Sequence, residues 1–115
     1  MYSRTYSRRS GRILRSVPVI LRWQTPTSAW EHAAAETRCL SRYGCTVLCG
    51  NRVKFGSEIT VVDTERDRRV SARVVYRELT GNARQVTVAL EFKDNSDFWQ
   101  IDFPPPAASM DVPNA

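Results

Sequence analysis

One histidine, three cysteines, two lysines and no acidic residue before Glu31 leave this chain of 115 residues short of most reactive chemistry. With His32 alone, no Gly-rich phosphate loop and no nucleophile–base pairing, enzymatic activity has no visible carrier, and the chain reads as a non-enzyme. The cysteines at 39, 45 and 49 follow C-x5-C-x3-C, which fits no usual zinc spacing, and His32 stands seven residues upstream. No metal and no cofactor is expected. Cys45 and Cys49 share parity with Val47, as small buried hydrophobes in a reducing compartment would. No apolar run is long enough to cross a membrane, and the first thirty residues lack the apolar centre of a secretory signal. Membrane insertion is therefore not expected, and a cytoplasmic location follows by default.

What is present is arginine. Fifteen arginines supply nearly all of the formal charge of +5. Arg4, Arg8, Arg9, Arg12, Arg15 and Arg22 precede the first acid, whereas the chain after Arg84 is net acidic apart from Lys93. A one-sided basic arm calls for an anionic partner, whether phosphate, nucleic acid or an acidic protein surface. Solubility alone is the plain alternative.

The length suits a single domain with its own core. Residues 1–11 read as a flexible basic arm, 12–103 as the folded domain and 104–115, opening on Pro104-Pro105-Pro106, as a disordered tail. Period-two alternation begins at Ile13 and runs to Trp23, with Pro18 marking an edge or a bulge. Residues 29–36 admit two readings. Ser28 and Glu31 resemble a helix-capping box, but the stretch runs without a stop into Thr37-Arg38-Cys39-Leu40, which favours a strand over about 32–40. Cys45, Val47 and Cys49 alternate next, then Ile59 and Val61 up to Asp63. Thr64 to Arg68 is charged enough to be a solvated hairpin tip. Val70, Ala72, Val74 and Tyr76 then face one side and Arg69, Ser71, Arg73 and Arg77 the other. Gly81-Asn82 supplies a turn, and Val86, Val88, Leu90 and Phe92 form the last inward row. These are six short strands of an all-β, antiparallel barrel or sandwich, with a helical turn expected to carry Phe98 and Trp99 onto one end.

Two short motifs stand out on this frame. Arg8 and Arg12 place two guanidinium forks just before the first strand, with Arg9 between them. About thirty residues on, Ser41-Arg42-Tyr43-Gly44 sets a serine and a glycine at turn spacing. A guanidinium can give paired hydrogen bonds to a phosphate or to the O6/N7 edge of guanine, and can stack on a base.

In order and spacing the chain resembles the PilZ domain family over roughly residues 8–105. Arg8-Arg9-Ser10-Gly11-Arg12 matches that family's RxxxR, and the stretch around Pro18-Val19 is similar to its first strand. Ser41-Arg42-Tyr43-Gly44 matches the SxxG of its (D/N)xSxxG, and Val88-Ala89-Leu90-Glu91-Phe92 is similar to its last strand. The resemblance implies a six-stranded antiparallel β-barrel that binds cyclic di-GMP beneath the RxxxR arm. Arg8 and Arg12 would take guanine edges and phosphates, with Arg9 beside them. Ser41 would offer its hydroxyl, and Gly44 would permit a tight turn. Arg42 beside them is read either as a support for the anion or as a residue that faces water.

One position departs. Where the family has Asp or Asn, this chain has Cys39, and a thiol is a poor partner for the donor edge of guanine. Loss of such a charge-assisted bond costs about 1.5–3 kcal/mol, or one to two decades of affinity. Two functions follow: a cyclic di-GMP-sensing module that passes its signal to an unidentified protein partner, or a degenerate barrel that binds a protein without nucleotide. Single-stranded nucleic acid is a third class. It is disfavoured because Glu58, Asp63, Glu65 and Asp67 interrupt the basic surface.

Overall fold

The computed structural model describes residues 11–50, 52–54, 56–81, 84–94 and 97–104. The expected arm, with Arg8 and Arg9, lies outside the described residues, as do Asn82 of the expected turn and the tail beyond Pro104. Among the described residues the chain is all-β and has no helix. The strands are β1 (Arg12–Ile13), β2 (Pro18–Gln24), β3 (Trp30–Ser41), β4 (Gly44–Gly50), β5 (Glu58–Asp63), β6 (Arg68–Leu79) and β7 (Gln85–Phe92). Six of them pair in the order β3-β2-β5-β6-β7-β4, and a β3–β4 pairing closes the ring into an antiparallel barrel. The short β1 adds to the end of β3. Closure leaves the six long strands without an unpaired edge.

The core follows from the alternation. Val19, Leu21, Val47, Val61, Val74, Val86 and Val88 each retain at most 2% of their accessible surface. β-branched side chains at every second position fill a pleated inner face, and their neighbours face water. The strand reading of residues 32–40 holds, with the strand running from Trp30 to Ser41. Ser28 closes a tight turn instead of capping a helix. Its φ is 69°, and its amide donates to Thr25 O at 2.9 Å.

The first expected strand is interrupted. Between β1 and β2 the chain leaves the ladder, and the fully buried Thr37 repairs the break. Its hydroxyl accepts from Val17 N and donates to Arg15 O, both at 2.7 Å, while its amide donates to Val17 O at 3.0 Å. Pro18 opens β2 after this detour, a position that tolerates its missing N–H.

Three expectations are corrected. A bulge between Val74 and Tyr76 inverts the parity of the rest of β6. Tyr76 is thereby paired with outward Ala89, and Arg77 with inward Val88. The Arg77 guanidinium donates through Nε to Val53 O at 2.9 Å at that end of the barrel. Second, the hairpin tip is exposed over Thr64 to Asp67 as expected, but Asp63 just before it does not belong to the charged surface. Asp63 is fully buried: its Oδ1 accepts from Glu65 N at 3.1 Å and Arg66 N at 3.3 Å, and its Oδ2 from Arg66 Nη1 at 3.0 Å. Arg68 is half-buried at the start of β6 and donates to Phe98 O at 3.0 Å. Third, Phe98 and Trp99 do reach the barrel end, each 1% exposed, but on a reverse turn instead of a helical one. Gln100 N donates to Asp97 O at 3.2 Å, and Gln100 at φ 56° directs the chain away from a helix.

Asp63→Ala is expected to lower stability by about 1–3 kcal/mol, because it leaves the turn amides and Arg66 without their acceptor. Asp63→Asn keeps an Oδ1 acceptor and is expected to lose less. Urea denaturation of the two variants checks the order.

Candidate ligand-binding cleft

A shallow cleft opens on the outer face of the barrel where β1, β3, β4 and β7 lie side by side. Antiparallel pairing sets its floor. Arg12 stands opposite Ser41, Ser41 opposite Gly44, and Gly44 opposite Glu91. Directly opposed residues share a face, so the four form one row across the sheet. A second row, Cys39, Thr46 and Ala89, runs beside it. Arg12, Cys39, Ser41, Thr46, Ala89 and Glu91 all line the cleft, which encloses about 30 Å³. That volume is roughly the share of one water molecule, far below a closed small-molecule pocket.

The corner is held from several sides. Arg42 and Tyr43 form the two-residue turn between β3 and β4, and Phe92 N donates to Tyr43 O at 2.8 Å. Trp99 Nε1 donates to Gly44 O at 3.3 Å from within the core. Trp99 itself packs against Phe98 with ring centroids 4.7 Å apart and against Phe92 at 6.1 Å. Gly11 N donates to Pro104 O at 2.8 Å, which pins the root of the N-terminal segment next to Arg12. The Ser41 hydroxyl donates to the same Gly44 carbonyl over a long 3.4 Å. So weak a bond is readily exchanged for a ligand acceptor.

Gly44 is required for a different reason than turn conformation. A β-carbon there would lie 2.0 Å from Leu90 O, inside the backbone of β7. Glycine lets β4 and β7 approach, and it leaves an open floor between Ser41 and Glu91. Next to Glu91 on β6, Arg73 donates to Glu58 at 3.5 Å. Glu58 also accepts from Lys93 at 2.9 Å, and this hydrogen bond, with Arg73 adding, holds its carboxyl below the ordinary range.

All three cysteines are buried, and none of them forms a disulfide. Burial pushes the Cys45 thiol far above its ordinary range, with Cys39 adding to the rise. Burial also lifts Cys49 to about 11, against the pull of Arg77. Among the described residues no cluster of His, Cys, Asp and Glu is arranged to hold a metal, and no helix is long and apolar enough to cross a membrane.

Of the residues singled out from sequence, Arg12, Ser41 and Gly44 meet in this cleft, and Cys39 stands in its wall. Arg42 is exposed on the turn and does not line it, while Arg8 and Arg9 lie outside the described residues. Thr46, Ala89 and Glu91 had no role assigned from sequence. Their placement depends on the β4–β7 register, and no local motif announces it.

No profile of a known protein family matches the chain, and no curated protein matches it in sequence. Comparison of structures gives a match to the PilZ domain with c-di-GMP of YcgR from Escherichia coli, at 15% identity and a TM-score of 0.50. The match covers 79% of this chain and 81% of that one. The closed barrel, in the strand arrangement described above, thus gives this chain a PilZ-like fold.

Proposed function

We propose that the chain is a signalling module that binds cyclic di-GMP on the outer face of its barrel, between the RxxxR arm and the Ser41–Gly44 corner. The observation that carries this reading is the pairing of Arg12 with Ser41 on the cleft rim. A guanidinium fork and a weakly engaged hydroxyl stand side by side over a floor kept open by glycine. The structural neighbour that shares this fold is itself a PilZ domain with c-di-GMP. Arg8 stands four residues before Arg12, a separation of at most about 14 Å along an extended chain, which is within reach of the cleft.

In this reading the ligand lies across the rim and the arm closes over it. Ordering the arm costs roughly 1–2 kcal/mol per residue, which the clamp contacts offset, and the covered surface is what a protein partner would read. We place the module in the cytoplasm, where three buried thiols outside any disulfide stay reduced.

Calorimetric titration with cyclic di-GMP is expected to show binding that Arg12→Ala weakens by about tenfold or more, and Arg8→Ala likewise. Absence of heat at saturating ligand would overturn the proposal. A second reading rests on Cys39, which puts a thiol in the cleft wall where the family carries Asp or Asn. In that reading the barrel binds a protein without nucleotide. Binding that appears only in Cys39→Asp would favour it.

A further inference from the structure

Glu91 is the only carboxylate among the described residues that line the cleft, and the signature motifs assign it nothing. It sits in the same row as Arg12 and Ser41, two strands from Ser41, with side-chain-free Gly44 between them. Two strand spacings put Ser41 and Glu91 roughly 10 Å apart at the backbone. The row therefore runs from a fork of donors, through an open floor, to a pair of acceptor oxygens.

That order of groups matches one purine. Guanine carries acceptors at O6 and N7 and donors at N1–H and N2–H, so a donor fork and a carboxylate can take different edges of the same base. Adenine inverts part of this pattern. Its N6 amino group replaces the O6 acceptor, and its N1 lone pair would face the carboxylate. Thr46 and Tyr43, the other polar side chains at hand, carry hydroxyls but no charge.

We propose that Glu91 supplies the carboxylate that Cys39 does not, accepting N1–H and N2–H of a guanine whose O6/N7 edge is taken by Arg12. The proposal rests on the cyclic di-GMP reading above and makes Glu91 the residue that selects guanine. It moves the base-reading acid from β3 to β7, across the gap that Gly44 keeps clear.

The test titrates the full chain, as wild type, Glu91→Gln and Arg12→Ala, with cyclic di-GMP and with its inosine analogue, which lacks the N2 amino group. Wild type is expected to prefer cyclic di-GMP by roughly tenfold, and Glu91→Gln to bind it about tenfold more weakly and lose most of that preference. Arg12→Ala should weaken both ligands in proportion. Near-UV circular dichroism from Trp99 confirms that the variants remain folded. Should Glu91→Gln fail to fold, Glu91→Asp serves, and it is expected to retain the preference at reduced affinity. If a folded Glu91→Gln keeps the wild-type preference, or if Glu91→Asp loses it, Glu91 does not read the base while the cyclic di-GMP reading stands. If wild type binds neither ligand, that reading falls and this inference with it.

Discussion

Gly44→Ala is expected to lower stability by about 3 kcal/mol or more, a large share of the margin that holds a domain of this size folded. The β-carbon it introduces would sit 2.0 Å from Leu90 O, 3.1 Å from Leu90 C and 3.3 Å from Glu91 Cα. All three atoms are backbone, so no side chain can swing away to make room. Relief requires β4 and β7 to separate, and this pairing runs from Gly44–Glu91 to Gly50–Gln85. Gly50→Ala is the internal control. It lies at the other end of the same strand, and an added β-carbon there meets nothing within 4 Å. Its effect is expected to stay within about 0.5–1 kcal/mol. Urea denaturation of both variants decides the matter. Equal midpoints for Gly44→Ala and wild type would show that the two strands can part at little cost.

Trp99→Ala is expected to cost about 3–5 kcal/mol, in the range for deleting a buried aromatic ring. Trp99 is 1% exposed and contacts Phe92 and Phe98 edge-on or tilted, while Nε1 donates to Gly44 O. Removing it empties the barrel end and releases the carbonyl that also receives the Ser41 hydroxyl. A second effect follows at a distance. Trp99 does not line the cleft, yet its loss frees the floor on which a ligand would rest, so binding should weaken as well. Trp99→Phe separates the two contributions. It retains most of the apolar volume and loses the donor, and about 1–2 kcal/mol is expected for that step. Thermal melts and calorimetry on the same samples report both.

The strands were legible because their inner rows are strictly periodic. Val86, Val88, Leu90 and Phe92 alternate without interruption, and each is buried. Residues 32–40 were legible as a strand despite their alanines, because the stretch runs into Thr37-Arg38-Cys39-Leu40 without a stop signal. The misplacements have separate physical causes. A single extra residue at Val75 inverts every later position of β6, and nothing in the run Val74-Val75-Tyr76 marks where the ladder slips. Asp63 looked like one more solvated charge, since burial of a carboxylate by its own turn amides is not visible in composition. Phe98 and Trp99 were placed correctly on the core, but so short a segment has no period from which to tell a helix from a turn. In the cleft, Arg12, Ser41 and Gly44 were found by motif spacing. Glu91 was not, because its neighbour Gly44 lies 47 positions earlier, joined to it only by strand pairing.

The hydrogen bond between Gly11 and Pro104 fixes where the polypeptide enters and leaves the barrel. With way in and way out touching, the whole unit can be spliced into a surface loop of a larger host without prising that loop apart.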